Sequence, residues 1–447
     1  MKRESEAHQS PAAAEAPSPL FAPGVVRLPI DFFALGVFFF CAGVVLAPWG
    51  LDDALVFFRR PVPLAIVHLF TLGWITSSIM GVTYRYVPAL THRPVRFPRL
   101  ARAQYFLHAV GVLGMAAHFA IGEWTGLWSA AIVVLLSVAI YAVNMMSCLG
   151  PAIGTGVAET GLALSVTFLT AATLWGFLLG LDHTFHFLPG GWSVNLAAHA
   201  DLALLGWVTL AIFSTSYRFL PAFLLPTIEL PRAALWQLCV FAAGVAGMAA
   251  VLIAGLPGAG MFGFIIAATL IWYLVIIRRL VGTRRMPIDW TVLHAMVAMG
   301  WLVVAAALGL ALSITGLGGV ATVRMAAAWG AIGLLGWAGN FLVGMSYQIF
   351  PSFVTRVRSA RKWPPVAIAE LSVTAAQPYV LVVYNGGVAL AVGALLGGAR
   401  VWAVAGGTAL TVAGLTYGVS ILYAVAFAYR RKPPRSAIAN PLRILPG

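Results

Sequence analysis

One short segment of this chain occurs three times, and its repetition limits the folds that the chain can adopt. The copies begin at His68, His199 and Trp329. Each copy contains Leu-Gly-Trp, a Tyr ten residues after that Trp, and a Pro four residues after the Tyr. The repeated Trp residues are Trp74, Trp207 and Trp337. They are 133 and 130 residues apart, and a nearly constant period of this kind indicates three structural repeats.

The composition places the repeats in a membrane. The chain is 61% hydrophobic and 9% charged, and its mean hydropathy is +0.94, far above the values of soluble domains. Apolar runs of about 20 residues, the length that crosses a bilayer as a helix, recur along the sequence. We count twelve such runs, at approximately 30–48, 64–88, 102–121, 127–147, 158–181, 196–221, 233–255, 258–280, 289–313, 323–349, 378–399 and 401–428.

Twelve spans divided over three repeats give four spans each. The repeats cover approximately residues 28–147, 158–280 and 289–428. Because a lipid-exposed segment must satisfy its own backbone hydrogen bonds, the spans are predicted to be helices. We therefore expect an all-α polytopic membrane protein with three pseudo-symmetric four-helix groups in residues 28–430. Its one certain partner class is the lipid bilayer.

The basic residues predict the orientation. If the amino terminus is cytoplasmic, almost all Lys and Arg residues of the loops and tails lie on the cytoplasmic side. The opposite side then holds only Arg59, Arg60, Arg324 and Arg400. We therefore place both termini inside a plasma membrane of bacterial type. Residues 1–27 are expected to form a disordered cytoplasmic tail and residues 431–447 a basic one. The net charge of +14 reflects inner loops near anionic lipid, and no nucleic-acid partner is expected.

The repeat gives every intramembrane polar residue a position relative to its Trp. Six residues before the Trp stand His68, Asp201 and Ala331, and His199 lies two residues before Asp201. In the predicted orientation this position lies in the outer leaflet. Ionisable groups at that depth are costly in hydrocarbon, so they are expected to face the interior of the bundle. His199 and Asp201 are candidate metal ligands on this basis.

Residues 28–430 resemble the catalytic subunit of haem-copper oxidases and nitric oxide reductases. Twelve spans in three groups of four carry the resemblance, together with a His early in the second span and the Gly-Trp, Tyr and Pro pattern that closes spans 2, 6 and 10. The resemblance implies that His68 is an axial ligand of one haem b. It also implies that Arg400, between the last two spans on the outer side, pairs with the haem propionates.

The chain also departs from this family. The family takes two axial His ligands from the tenth span, at positions that correspond to Trp329 and Ala331. Its copper ligand on the sixth span corresponds to Asp201, and residues 233–255 contain no counterpart of the His pair on its seventh span. Copper held by nitrogen ligands needs several converging imidazoles. We therefore expect neither copper nor dioxygen reduction at a haem-copper centre.

Several residues are open as the second haem ligand. His118, near the outer end of the third span, has a compatible depth, and Met325, near the outer start of the tenth, offers a thioether. The loop before the sixth span adds His183 and His186 on the same side. A five-coordinate haem on His68 alone is a further possibility, and the sequence does not rank these options.

Two classes of function follow. The first is a haem-binding membrane protein that transfers electrons or binds a small gas such as nitric oxide or dioxygen. Its partners would be respiratory-complex subunits or a donor of the cytochrome c type. The second is a non-redox transporter or an assembly subunit on the same scaffold. A major-facilitator transporter is disfavoured, because its two halves would place the internal match near 200 residues instead of 130. Whether the protein is an enzyme, and then a respiratory-type oxidoreductase, is left open.

Overall fold

The computed structural model describes residues 25–316 and 318–431. Of these residues, 84% are helical, and no β-strand occurs among them. Twelve helices are long and apolar enough to cross a membrane, which confirms the predicted all-α polytopic architecture. We number them span 1 to span 12: Leu28–Val56, Pro61–Thr91, Pro98–Ile121, Leu127–Ala152, Val157–Phe185, Trp192–Leu224, Ala233–Ala254, Ala259–Gly282, Trp290–Thr315, Val320–Ala360, Ala376–Gly397 and Arg400–Tyr429.

Spans 2, 6 and 10 form the centre of the bundle. About 70% of the most apolar stretch of each is buried (72%, 67% and 72%), against 22–56% for the other nine spans. Span 2 packs between spans 1 and 3, span 6 between spans 5 and 7, and span 10 between spans 9 and 11. These three spans carry the repeated Trp residues. The most constrained sequence pattern of the chain therefore lies at the centre of the fold.

The other nine spans surround this centre. Span 3 packs on span 4 and span 4 on span 5; span 7 packs on span 8 and span 8 on span 9; span 11 packs on span 12 and span 12 on span 1. The first and last spans thus meet and close the ring. We call the end at which spans 2, 6 and 10 begin the outer end, following the orientation that the basic residues predict.

Each central span contains a π-helical segment around its Leu-Gly-Trp. The segments are Leu69–Thr76, Asp201–Thr209 and Ile332–Gly339. Most π-helical segments in proteins are single turns, and they occur frequently at functional sites. Three segments of eight or nine residues lie at equivalent positions, so the π-helical segment is part of the repeated structure.

The repeated Pro ends two of the three central spans. Span 2 ends at Thr91, three residues after Pro88, and span 6 ends at Leu224, three residues after Pro221. Sequence analysis placed the end of the tenth span near residue 349, and this is wrong, because span 10 continues through Pro351 to Ala360. The added turns are held by tertiary packing, since Phe353, Val354 and Val357 in them are buried.

Both predicted tails lie mostly outside the described residues. Of the predicted amino-terminal tail, only residues 25–27 are described; Val25 is 2% exposed, and the Arg27 guanidinium lies 4.7 Å from the centre of the Tyr429 ring. Of the predicted carboxy-terminal tail, only Arg431 is described. Its carbonyl oxygen accepts a hydrogen bond from Arg358. The first and last described residues are therefore packed against the bundle.

Candidate functional site

The three π-helical segments are joined by hydrogen bonds between repeats. Trp207 Nε1 donates to Thr76 Oγ1 at 2.9 Å, and Trp337 Nε1 donates to Thr209 Oγ1 at 3.1 Å. Thr76 and Thr209 each stand two residues after their own Trp. The third repeat has Gly339 at that position, so it offers no hydroxyl equivalent to those of Thr76 and Thr209. The Nε1 of Trp74 is buried and without a hydrogen-bond partner in the described part of the chain.

A Tyr from the fourth span of each repeat packs on the Trp of the following repeat. Tyr141 meets Trp207 with ring centroids 6.2 Å apart, and Tyr273 meets Trp337 at 6.2 Å. Tyr417 of the last repeat meets Trp74 of the first at 6.5 Å. All three pairs are edge-to-face, which is a favourable arrangement for aromatic rings. The three repeats are thus linked in a closed cycle, which we call the tryptophan ring.

The wide turns of the π-helical segments leave carbonyl groups that neighbouring side chains satisfy. His108 Nε2 lies 3.1 Å from the Leu72 carbonyl oxygen, and Tyr384 Oη donates to the Leu335 carbonyl oxygen at 3.1 Å. Leu72 and Leu335 occupy the same position in their repeats, two residues before the Trp. The intramembrane His108 therefore has a structural role. Sequence reasoning assigned it none.

His68 is the last residue before the first π-helical segment. Its Nδ1 lies 2.8 Å from the Leu64 carbonyl oxygen, and its ring stacks on Phe119 of span 3 with centroids 4.4 Å apart. No hydrogen bond from its Nε2 is found within residues 25–316 and 318–431. Because a ring nitrogen bonded to a carbonyl oxygen carries the proton, Nε2 is the nitrogen that bears the free lone pair.

His199 repeats this arrangement on span 6. Its Nδ1 lies 3.0 Å from the carbonyl oxygen of Ala172 on span 5, and its Nε2 has no hydrogen bond among the described residues. The two imidazoles are close enough to interact electrostatically. His68 faces span 3 and His199 faces span 5, and spans 3, 4 and 5 pack on each other in order. Both rings therefore border the region enclosed by spans 2 to 6 near the outer end.

Asp201 begins the second π-helical segment, two residues after His199. The side chain is buried, and its Oδ2 has no hydrogen-bond partner in the part of the chain that the structure describes. A buried carboxyl without a partner is costly, and packing does not account for it. Among the described residues, no group of three or more His, Cys, Asp and Glu side chains could hold a metal ion. A metal role for His199 and Asp201 stays a prediction.

Two of the other proposed haem ligands, His118 and Met325, are placed apart from the His68 ring. The neighbour of that ring on span 3 is Phe119, whereas the ring of His118 lies against Gly126, where an added Cβ would fall 2.8 Å from its Cε1. Near His118, a hydrogen bond from the Thr125 hydroxyl lowers the pKa of Glu123. Met325 lies half-buried in the first turns of span 10. No described contact joins either residue to His68.

Arg400 begins span 12 at the outer end, and its guanidinium pairs with Asp52 of span 1. Nε lies 2.9 Å from Oδ1, and Nη2 donates to Oδ2 at 3.0 Å. The Arg400 side chain is 77% exposed. Its predicted role as a partner of haem propionates stays a prediction, and the guanidinium is accessible for such a contact.

The donor chemistry at His68 and His199 fits the ligation of a haem iron. Metal-ligating His residues usually donate Nδ1–H to a carbonyl oxygen, which fixes the ring and leaves Nε2 for the metal. Both imidazoles have this arrangement, and they border one region. The sequence matches no protein-family model, and no curated protein is significantly similar to it.

Proposed function

We propose that this protein binds one haem b in the outer half of the membrane, with His68 and His199 as its axial ligands. The observation that supports the proposal is the pair of imidazoles that border one region of the bundle, each fixed through Nδ1 by a backbone carbonyl. His68 would keep the second-span ligand position of the family that the sequence resembles, and His199 would replace the ligand that this family takes from the tenth span. His118 and Met325 are less suitable because they do not face His68.

The residues around the two imidazoles would hold them in place. The Leu64 and Ala172 carbonyl oxygens orient the rings, and Phe119 supports the face of His68. Arg400 would neutralise a propionate at the outer surface. Haem b held by two imidazoles supplies one-electron transfer, and release of one imidazole would open a binding position for nitric oxide or dioxygen. Electron transfer or small-gas binding is thus the activity that we propose.

The cellular setting follows from the same proposal. The excess of Lys and Arg on one side of the bundle favours a bacterial-type inner membrane with both termini cytoplasmic. The haem site would then lie near the outer surface. A cytochrome c-type donor or a respiratory-complex subunit at the outer end is the partner class that this position favours. The alternative is a non-redox transporter or scaffold subunit on the same fold.

The test is the visible spectrum of the full chain purified from a haem-competent host. We expect one haem b per chain with the spectrum of a low-spin, six-coordinate iron. His68→Ala and His199→Ala should each lose the haem or convert it to five-coordinate, and added imidazole should restore the original spectrum. The matched control is His92→Ala, because His92 is exposed in the loop after span 2. This variant should keep the haem unchanged.

A further variant distinguishes ligation from packing. His199→Met should keep a six-coordinate haem and raise its reduction potential, since a thioether ligand favours the reduced iron. A spectrum unchanged in His199→Ala would remove His199 from the site. Folded protein without stoichiometric haem would reject the proposal and favour the transporter or scaffold alternative.

A further inference from the structure

Spans 2, 6 and 10, together with Phe33 of span 1, line a partly open cavity on the inner side of the tryptophan ring. We call it the axial cavity. Its walls come from the positions four, five and eight residues after the Trp in all three repeats, so it lies on the pseudo-threefold axis. Ile79, Ile212 and Leu342 are the three equivalents at the middle position. Its volume is about 50 Å³.

The cavity walls are almost wholly apolar. Four of the wall residues carry hydroxyls, and three of those hydroxyls bond to backbone carbonyls: Thr83 to Ile79, Thr215 to Ala211 and Ser346 to Val343. Of these four hydroxyls, only that of Ser78 has no hydrogen-bond partner among the described residues. A buried water needs two to four polar partners, and one free hydroxyl does not supply them. The cavity is therefore expected to be dry.

The size of the cavity restricts its occupant. About 10–15 Å³ on this measure is enough for one water molecule. The axial cavity is several times larger, so it accommodates a diatomic molecule or a xenon atom. It is too small for an acyl chain, which needs room for many methylene groups, or for a porphyrin. A small apolar gas meets both the size and the chemistry of the walls.

Aromatic side chains flank the cavity at both ends. At the outer end stands the tryptophan ring, tied by the bonds from Trp207 to Thr76 and from Trp337 to Thr209. At the inner end, twelve residues after the Trp, the rings of Tyr86 and Phe219 meet with centroids 5.0 Å apart. Both residues are half-buried. The outer end is held by hydrogen bonds and is the more rigid of the two, so entry is expected at the inner end.

We propose that the axial cavity is a binding site for a diatomic apolar gas such as dioxygen or nitric oxide. The site uses equivalent residues of all three repeats, which explains why the apolar positions after each Trp face one another. This proposal does not rest on the haem at His68 and His199. Haem-free protein should have the same gas site.

The test uses xenon as the probe and Met345 as the reporter, because Met345 lines the cavity. Full-length protein labelled with ¹³C at its methionine methyl groups is titrated with xenon pressure in solution NMR. We expect a saturable shift of the Met345 methyl signal. The methyl of Met145, which is fully buried elsewhere, should not shift. Under dioxygen pressure, the Met345 signal should broaden more than that of Met145.

Two variants change the cavity in opposite directions. Ala211→Phe places in the second repeat the side chain that the third has at Phe341, and it should abolish the saturable shift. Leu342→Ala enlarges the cavity and should strengthen xenon binding. Ala117→Phe, on the exposed surface of span 3, is the matched control and should leave binding unchanged.

The outcomes separate this proposal from the haem proposal. A Met345 signal that does not saturate with xenon overturns the axial site, whether or not haem is bound. So does an unchanged response in folded Ala211→Phe. If Ala211→Phe does not fold, Leu342→Ala decides, because xenon binding no stronger than that of the natural sequence would contradict the site. Loss of haem in His68→Ala with an intact xenon response would leave this inference standing.

Discussion

Trp207 of the second repeat donates its indole hydrogen bond to Thr76 of the first, across 131 residues of sequence. Trp337 and Thr209 repeat this contact between the third and second repeats. The second and third repeats are therefore each tied, through the Trp of the shared Leu-Gly-Trp pattern, to a hydroxyl of the preceding repeat. The missing third bond, at Gly339, makes the centre of the molecule asymmetric. Because of this asymmetry, Trp74 can serve as a control for Trp207 within the same protein.

Removing the indole nitrogen should matter at Trp207 and not at Trp74. Both side chains are almost completely buried, but only Trp207 donates a hydrogen bond. Trp207→Phe should therefore lower the free energy of unfolding by about 1 kcal/mol more than Trp74→Phe does. Denaturant unfolding in detergent measures both variants. Because each substitution removes similar ring area, their difference reports the hydrogen bond.

A double-mutant cycle assigns that difference to the Thr76 hydroxyl. Thr76→Val removes the acceptor while keeping the shape of the side chain. The combined Trp207→Phe and Thr76→Val variant should be less destabilised than the sum of the two single variants by about 0.5–1 kcal/mol. Strict additivity would mean that this bond does not contribute to stability.

A hydroxyl at position 339 should accept the missing hydrogen bond from Trp74 only if the Tyr384 side chain moves aside. A Cβ added to Gly339 would overlap the Tyr384 hydroxyl and would fall 3.0 Å from the Leu334 carbonyl oxygen. Gly339→Thr should therefore destabilise the protein by about 1–3 kcal/mol. Gly339→Thr combined with Tyr384→Phe should recover part of this loss, measured by thermal unfolding. No recovery would show that the backbone near Leu334, and not Tyr384, sets the limit.

Much of the fold could be predicted because its signals are long and repeated. Twelve apolar runs and three copies of one Trp, Tyr and Pro pattern were sufficient to predict twelve spans in three groups. The π-helical segments were not predictable, because a π turn has no composition of its own. Its width is set by what packs beside it, such as Phe168 against Gly206. The extension of span 10 past Pro351 was missed for a similar reason, since tertiary contacts hold it.

The candidate site could be predicted in part. The depth of His68, Asp201 and His199 follows from their distance to the repeated Trp. The proximity of His199 to His68 does not, because it depends on how two separate helices are rotated about their axes. The pairing of Arg400 with Asp52 also joins distant parts of the sequence. A hydropathy pattern gives the depth of a side chain, whereas tertiary packing gives its partner.

The glycine before each repeated Trp should resist substitution. At Gly206, an added Cβ would fall 2.5 Å from the Phe168 ring, and Gly73 and Gly336 meet Phe39 and Trp301 in the same way. Gly206→Ala should cost about 1–3 kcal/mol of unfolding free energy, because buried rings must shift. Gly330→Ala is the control, since no atom lies within 4 Å of a Cβ there. Equal effects of the two variants would contradict a steric role for Gly206.

The ion pair of Arg400 and Asp52 should contribute little to stability. Substituting these two residues should shift the reduction potential of the haem in opposite directions. Exposed ion pairs contribute about 0–1 kcal/mol, so neither Arg400→Ala nor Asp52→Asn should change thermal unfolding much. If Arg400 lies near the proposed haem, losing its positive charge should lower the reduction potential. Removing the negative charge of Asp52 should raise it. Redox titration of both variants measures the signs, and shifts of the same sign would exclude a propionate contact.

Arg358 should be essential for the inner end of span 10. The side chain is fully buried, and its guanidinium donates to the carbonyl oxygens of Pro364, Phe427, Arg430 and Arg431. The last three lie at or just after the end of span 12, where helix carbonyls have no partners within the helix. A cation at this position is also favoured by the helix dipole.

Lysine should not replace arginine there, because its single ammonium cannot reach the same set of acceptors. We expect Arg358→Lys to lower the free energy of unfolding by about 1.5–3 kcal/mol, the range for hydrogen bonds to charged groups. Arg356→Lys, two residues earlier and exposed, is the matched control and should have almost no effect. Limited proteolysis gives a second measurement. Cleavage between residues 361 and 375 should accelerate in Arg358→Lys alone, because the end of span 12 no longer holds that segment. Equal cleavage rates in the two variants would mean that the carbonyl contacts of Arg358 do not fix the inner end of span 10.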